Sequence, residues 1–321
     1  MSSASPSKIV IYAALAGNLL VALTKFVAAA WTGSSAMLSE GVHSLVDTLN
    51  QILMLYGIHR ASLPADEHHP LGYGRELYFW SFVVALLIFS LGAGVAFYEG
   101  VAHIMTPASV EDPTINYLVL ALSFVFEAAS WWIAVRQFEK HRGDRGVIEA
   151  ATRSRDPTTY LVLFEDSAAL IGIAIAFAGI AAADYFDMPA LDGAASIGIG
   201  IILAITALFL ARESKGLLLG EPAQESTRSS IAAVVRGTPG ILDISRLITV
   251  HLAPLQVVAA LDVDFADDLR TSEVERVAAT VENAIKTKHP EVVAVFLSPR
   301  NPPPAAIALA RPSPSNGPVE S

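Results

Sequence analysis

Between residues 9 and 212 this chain is built almost entirely of long apolar runs, and nothing else in it constrains the fold as much. In hydrocarbon every backbone N–H and C=O must find its partner inside the protein, so an apolar run of about 20 residues settles as a spanning helix. Six such segments can be read, at 9–31, 36–58, 77–104, 115–138, 159–183 and 191–212. The first exceeds the roughly 7–15 apolar residues of a secretory leader, which makes it a spanning helix. Lys25, near its far end, is expected to snorkel toward the interface. Only 16% of the residues are charged, against roughly 25% in soluble domains.

The cationic residues orient the bundle. Arg136, Lys140, Arg142, Arg145, Arg153 and Arg155 follow the fourth segment, Arg60 and Arg75 follow the second, and Arg212 and Lys215 follow the sixth. Lys8 precedes the first, while the connections 32–35, 107–114 and 184–189 hold no Lys or Arg. By the positive-inside rule both termini are cytoplasmic. The short N-terminus, 1–8, carries no transit-peptide pattern and points to a bacterial inner membrane. The net charge of -10 offers nucleic acid no basic surface. The absence of Cys excludes disulfides and thiolate ligands. The absence of a Walker-type phosphate loop excludes nucleotide as the energy source. Gly92, Gly94, Gly172, Ala176, Gly198 and Gly200 are small enough to let helices approach closely.

After a linker at 213–223, residues 224–300 read as a small α+β domain. A helix at 224–236 is followed by strands at 247–252 and 257–265, a helix at 272–288 and a strand at 292–297. Val257, Ala259, Leu261, Val263 and Phe265 alternate with Asp262 and Asp264, and Val274, Val277, Val281 and Ile285 form a helical stripe. The order αββαβ predicts a ferredoxin-like, three-stranded sheet with helices on one face. The Pro/Ala/Ser-rich tail, 301–321, is expected to be disordered.

Ionisable residues inside the apolar segments carry the chemistry. A charge at membrane depth costs at least about 2.5–3.5 kcal/mol and usually marks an ion or proton path. His43 and Asp47, four apart, share one face of the second segment, with Glu40 one turn before them. Glu165 and Asp166 are adjacent in the fifth segment and point about 100° apart, so at most one can face the His43/Asp47 site squarely. Glu127 lies in the fourth. These groups repel one another unless a cation or protons sit between them. Metal stabilises the deprotonated ligands and protons compete for the same atoms, which is the basis of an antiporter. Asp66, Glu67, His68 and His69 form a second cluster in the loop before the third segment.

The sequence resembles the cation diffusion facilitator family of divalent-metal/proton antiporters over about residues 9–300. The marks are Gly33-Ser-Ser-Ala-Met-Leu-Ser-Glu-Gly-Val-His43-Ser-Leu-Val-Asp47, the Asp66…His69…Gly72-Tyr-Gly-Arg75 loop and the six-helix plus αββαβ plan. Ser154-Arg-Asp-Pro-Thr-Thr159, Leu163-Phe-Glu-Asp-Ser-Ala-Ala169 and Gly92-Ala-Gly94 make it most similar to the branch that contains the ninth human zinc transporter. The resemblance implies two ligands, four apart, on each of the second and fifth helices. His43, Asp47 and Asp166 match, but Val162 stands at the fourth position. Glu40, Glu165 or water is left to replace it, and an oxygen-rich set tolerates manganese, iron or cobalt better than a two-histidine set. The resemblance also implies a loop site of one Asp and two His, where Asp66 and His69 match and Tyr73 does not. The His-x-Asp of metal-binding soluble domains is replaced by Leu297-Ser-Pro-Arg300, leaving only His251 and His289. That domain is therefore expected to dimerise without binding metal strongly.

The expectation is a homodimeric antiporter, not an enzyme, that exports zinc first, or manganese, cobalt or iron, in exchange for protons. It needs no resident cofactor. The alternatives are a transport-inactive regulatory or dimerising subunit and a proton-coupled carrier of an organic cation.

Overall fold

The computed structural model describes residues 8–107, 113–142, 146–154 and 156–300. The N-terminal residues 1–7, Arg145, Arg155, most of the 107–114 connection and the 301–321 tail lie outside the described residues. The chain divides into two units, Met1–Gly220 and Glu221–Ser321.

The first unit is helical. Its long helices are α1 (Lys8–Thr32), α2 (Ser35–Ala61), α3 (Glu76–Leu87) continued through a π-turn into α4 (Gly94–Met105), α5 (Pro113–Arg142), α7 (Pro157–Phe186) and α8 (Ala190–Leu219), with a short α6 (Val147–Arg153) between α5 and α7. Among the described residues, four helical stretches are long and apolar enough to cross a bilayer: Glu76–Met105, Thr114–Arg136, Tyr160–Phe186 and Ala190–Leu219. In α1 the described residues include the apolar stretch Asn18–Thr32. In α2 the polar stripe lowers the hydropathy. Residues 213–219, expected in a linker, instead extend α8, which stops only at Gly220 with φ 103°.

Helix α2 is inverted relative to a soluble amphipathic helix. Ser39, Glu40, His43, Ser44, Thr48 and Asn50 are buried, while Leu45, Leu49, Ile52 and Tyr56 face outward. Water rewards the opposite arrangement; lipid rewards this one. Neighbours on several sides cover the polar face, with α1, α3, α4, α7 and α8 all packing against α2. The α4–α8 crossing is tightly packed. A Cβ on Gly100 would lie 2.6 Å from the Gly193 carbonyl oxygen, and one on Gly193 would lie 2.8 Å from the Gly100 oxygen. Gly200 likewise backs onto the π-turn, 3.1 Å from the Ala93 oxygen.

In the second unit the order is α9 (Glu225–Arg236), β1 (Ile241–Ala253), β2 (Gln256–Phe265), α10 (Thr271–Lys288) and β3 (Val292–Pro299). Strand β2 is central, antiparallel to β1 and parallel to β3. β1 is longer than the 247–252 read from apolar alternation, because bulges at Ile241/Asp243 and Ile244/Arg246 break its period while pairing continues. Val257, Ala259, Leu261 and Val263 pack with Ile231, Val235, Val281 and Ile285. The other face is not simply solvated: Asp262 is buried and ion-paired to Arg246 at 3.0 Å.

Candidate metal site in the helical unit

Glu40, His43, Asp47 and Asn50 succeed one another at steps of three, four and three, forming a column on the buried side of α2 about 15 Å long. Several of its atoms lack a hydrogen-bond partner among the described residues: one oxygen of Glu40, both ring nitrogens of His43, Oδ1 of Asp47 and Oδ1 of Asn50. Buried polar groups are nearly always paired, so such a run of exceptions marks a place built for something else.

His43 Nε2 and Asp47 Oδ2 lie 3.6 Å apart. That is too long for a hydrogen bond. Two bonds of about 2.1 Å meeting at the tetrahedral angle leave their outer atoms about 3.4 Å apart, a distance close to this one. The pair stands alone in this conformation: among the described residues no three His, Asp or Glu side chains converge closely enough to hold a metal.

Helix α7 starts at an Asp156 cap, whose carboxylate accepts from Thr158 N at 3.0 Å, with Pro157 in the first turn. It brings its two acidic residues to different neighbours. Glu165 is buried and accepts from Asn50 Nδ2 on α2 at 2.8 Å. Asp166 accepts from Ser130 Oγ on α5 at 2.8 Å. Val162, one turn before Asp166, is 37% exposed. The face of α7 that carries Val162 and Asp166 therefore does not meet α2 directly, and Glu165 is the residue presented to it. Asp166 and Glu127 remain within electrostatic reach of Asp47.

One expectation is corrected here. Lys25 does not snorkel. It is 0% exposed, and its ammonium donates to Glu40 Oε2 at 3.0 Å and to Ser44 Oγ at 2.8 Å. An unpaired cation cannot rest in a packed interior, and Glu40 supplies the counter-charge. Glu40 is thus engaged by Lys25 rather than turned to His43, and its other oxygen faces Gly172 of α7, where a Cβ would lie 2.5 Å away.

The loop cluster is a structural knot. Asp66 accepts from the backbone of His68 at 2.9 Å and of His69 at 2.7 Å, and from Tyr73 OH at 2.6 Å. The Tyr73 hydrogen bond, then that of the His69 backbone, holds the Asp66 carboxyl below the usual range. His69 stacks on Tyr73, 4.0 Å between ring centroids, and Arg60 lies over the same ring. Asp66 and His69 are near each other, 3.5 Å at the closest, but both Asp66 oxygens already serve the turn.

Asn50 and Asp192 were missed from sequence. Asn50 continues the His43/Asp47 periodicity by three residues, which was a usable signal. Asp192, in the first turn of α8, accepts from Ser34 Oγ (2.8 Å), Ser35 N (2.6 Å), Ser35 Oγ (3.0 Å) and Ala36 N (3.3 Å), and so caps α2 from another helix. A hydroxyl chain leads away from it: Ser39 Oγ donates to Ser196 Oγ, and Ser196 Oγ to Ser35 Oγ, each at 3.1 Å.

Comparison with known proteins matches this geometry to a family. Residues 11–219 match the cation efflux transmembrane domain. The proton-coupled zinc antiporter SLC30A9, mitochondrial, of Homo sapiens is 32% identical over 262 residues, 81% of this chain and 46% of that protein. Metal tolerance protein C4 of Arabidopsis thaliana is 33% identical over 222 residues, 68% of this chain and 48% of that protein. The chain thus spans about half the length of these relatives. The cation-efflux pump FieF of Citrobacter koseri is 24% identical over 284 residues, 88% of this chain and 89% of that pump. With the family's domain matched across more than half its length, the chain is a multi-pass membrane protein belonging to the cation efflux family of metal-ion transporters.

Proposed function

We propose that the protein is a proton-coupled antiporter that exports a divalent transition metal, zinc before manganese, cobalt or iron. The observation that carries this is the His43/Asp47 pair, buried, partnerless at both ring nitrogens and 3.6 Å apart. That separation suits the tetrahedral angle of zinc, and the octahedral angle of about 90° would bring the two atoms nearer 3 Å. Glu165 is the third ligand, delivered from α7 when the Asn50 contact gives way, and Asp166 stands behind it. Protons and metal exclude each other at these atoms, which couples the two fluxes. The names of two relatives support the reading, one as a proton-coupled zinc antiporter and one as a cation-efflux pump.

In this reading α1, α2, α3–α4, α5, α7 and α8 are six spans, with α2 admitted because its polar side is covered by protein. The αββαβ unit is a ferredoxin-like dimerisation domain, and the transporter is a homodimer. Both termini are cytoplasmic, on the Lys/Arg asymmetry of the connections. A bacterial inner membrane is the setting, since the bacterial relative shares nearly the whole length.

The test is metal uptake into sealed proteoliposomes with an acidic lumen, comparing zinc, manganese, cobalt and iron. Uptake is expected to require the pH gradient and to vanish in Asp47→Ala. A folded protein that moves none of the four metals ends this reading and favours a transport-inactive, regulatory role.

A further inference from the structure

We infer that Lys25 is a specificity-determining positioning residue: a tethered cation that occupies Glu40 and keeps that carboxylate out of the metal's ligand set. Its bearing on transport rests on the function proposed above; its bearing on metal binding does not.

The spacing makes Glu40 dangerous to a zinc-selective site. Glu40-Gly-Val-His43 is a Glu-x-x-His run, the spacing with which helical bundles hold iron and manganese. A third oxygen from this position would add a hard, flexible ligand beside His43 and favour metals that accept higher coordination numbers. The structure removes it. Lys25 reaches from α1 into the interior, is wholly buried, and binds Glu40 Oε2 at 3.0 Å. Its second bond, 2.8 Å to Ser44 Oγ, anchors the ammonium on the residue that follows His43. Glu40 Oε1 is turned toward the bare backbone face of α7 at Gly172. Gly172 lies two helical turns from Glu165, about 10 Å along the axis.

The arrangement also simplifies the charge. Lys25 and Glu40 cancel each other, so the negative charge offered to an incoming divalent cation comes from Asp47, Glu127 of α5 and the α7 carboxylates. A neutral residue at position 25 would leave Glu40 to seek a cation, and the nearest one entering the bundle is the substrate metal. Arginine at 25 would preserve the cation. Replacing both partners by neutral residues would remove the competing ligand together with its guard.

The experiment is equilibrium competition of zinc against manganese on the full-length protein in detergent, counting only binding lost in Asp47→Ala. Lys25→Met is expected to lower the zinc-over-manganese ratio by about tenfold or more, the scale on which outer contacts alter metal affinity. Lys25→Arg and the double variant K25M/E40Q are expected to stay within about threefold of the wild type, well inside that scale. Because Lys25→Met alone leaves a buried carboxylate unpaired and is prone to misfold, the double variant also stands as a test. Its folded form must keep the wild-type ratio, and a tenfold shift in it overturns the inference. A folded Lys25→Met protein with an unchanged ratio does the same. Proteoliposome uptake is run alongside. Wild-type protein that binds metal but does not transport it removes the transport reading and leaves the role of Lys25 to be judged on the binding ratio.

Discussion

Asp192 is where the helical unit can be broken most informatively, because one carboxylate serves the first turns of two helices. It sits in the first turn of α8 and accepts the backbone amides of Ser35 and Ala36 at the start of α2. Asp192→Ala leaves those two amides buried without an acceptor. At about 1–3 kcal/mol for each unsatisfied donor, the loss centres on about 4 kcal/mol. The serine hydroxyls add little, since Ser34 and Ser35 retain other bonds within the cluster. For a unit of this size 1 kcal/mol moves the melting midpoint about 2–4 °C, so the variant should melt about 8–16 °C below the wild type. Asp192→Asn keeps one acceptor for both amides and forfeits the charge at the helix start, worth about 1 kcal/mol and about 2–4 °C, together with the 3.9 Å approach of His103. Intrinsic tryptophan fluorescence during heating in detergent reads both, the chain carrying four Trp. An alanine variant within about 2 °C of the wild type, below the shift expected for even 1 kcal/mol, would refute the argument. So would an asparagine variant that falls as far as alanine.

Two further outcomes follow from the site and the loop. Glu165→Gln should weaken zinc binding by about tenfold or more, whereas Asp166→Asn, hydrogen-bonded to α5, should stay within about threefold; the reverse order in a metal-competition assay would return Asp166 to the ligand position. Tyr73→Phe removes the main cause of the low Asp66 pKa, so that carboxyl should titrate closer to the ordinary value of about 3.9. Because the native pKa is depressed, Asp66 supports the loop fully above its unfolded pKa and loses that support as pH falls through the folded one. In the variant the support is smaller and its loss is complete at a higher pH; carboxyl titration by NMR would show the raised folded-state value, and an unmoved titration would mean that the hydroxyl bond is not its main support.

The parts of this molecule that could be read from sequence are those carried by local spacing. Helix length and apolarity marked the helices, and a four-residue step placed His43 beside Asp47. The αββαβ order was legible because Val257 to Val263 alternate and Val281 and Ile285 fall on one helix face. What could not be read depends on partners far apart in the chain. Nothing local to Lys25 reveals that Glu40 lies opposite it, and a lone Lys near the end of an apolar run looks like one reaching for water. Nor does adjacency say which of Glu165 and Asp166 meets α2. That is decided by the rotation of α7, which is expressed in contacts to Asn50 and Ser130 more than thirty residues away. The loop cluster is ambiguous from sequence for a different reason: residues that bind metals well also fold turns well, and Asp66 is engaged by the turn.

The Gly100–Gly193 crossing has a consequence for how this protein can change over generations. Each glycine is held by the backbone of the other helix as well as by an isoleucine side chain, Ile197 against Gly100 and Ile104 against Gly193, and a second mutation could trim only the side chain. Enlarging either one therefore admits no compensating reduction opposite, because the facing residue is already the smallest there is. The two positions can be lost only together with the crossing itself, so divergence in this chain must be accommodated elsewhere on α4 and α8 while that contact stays fixed.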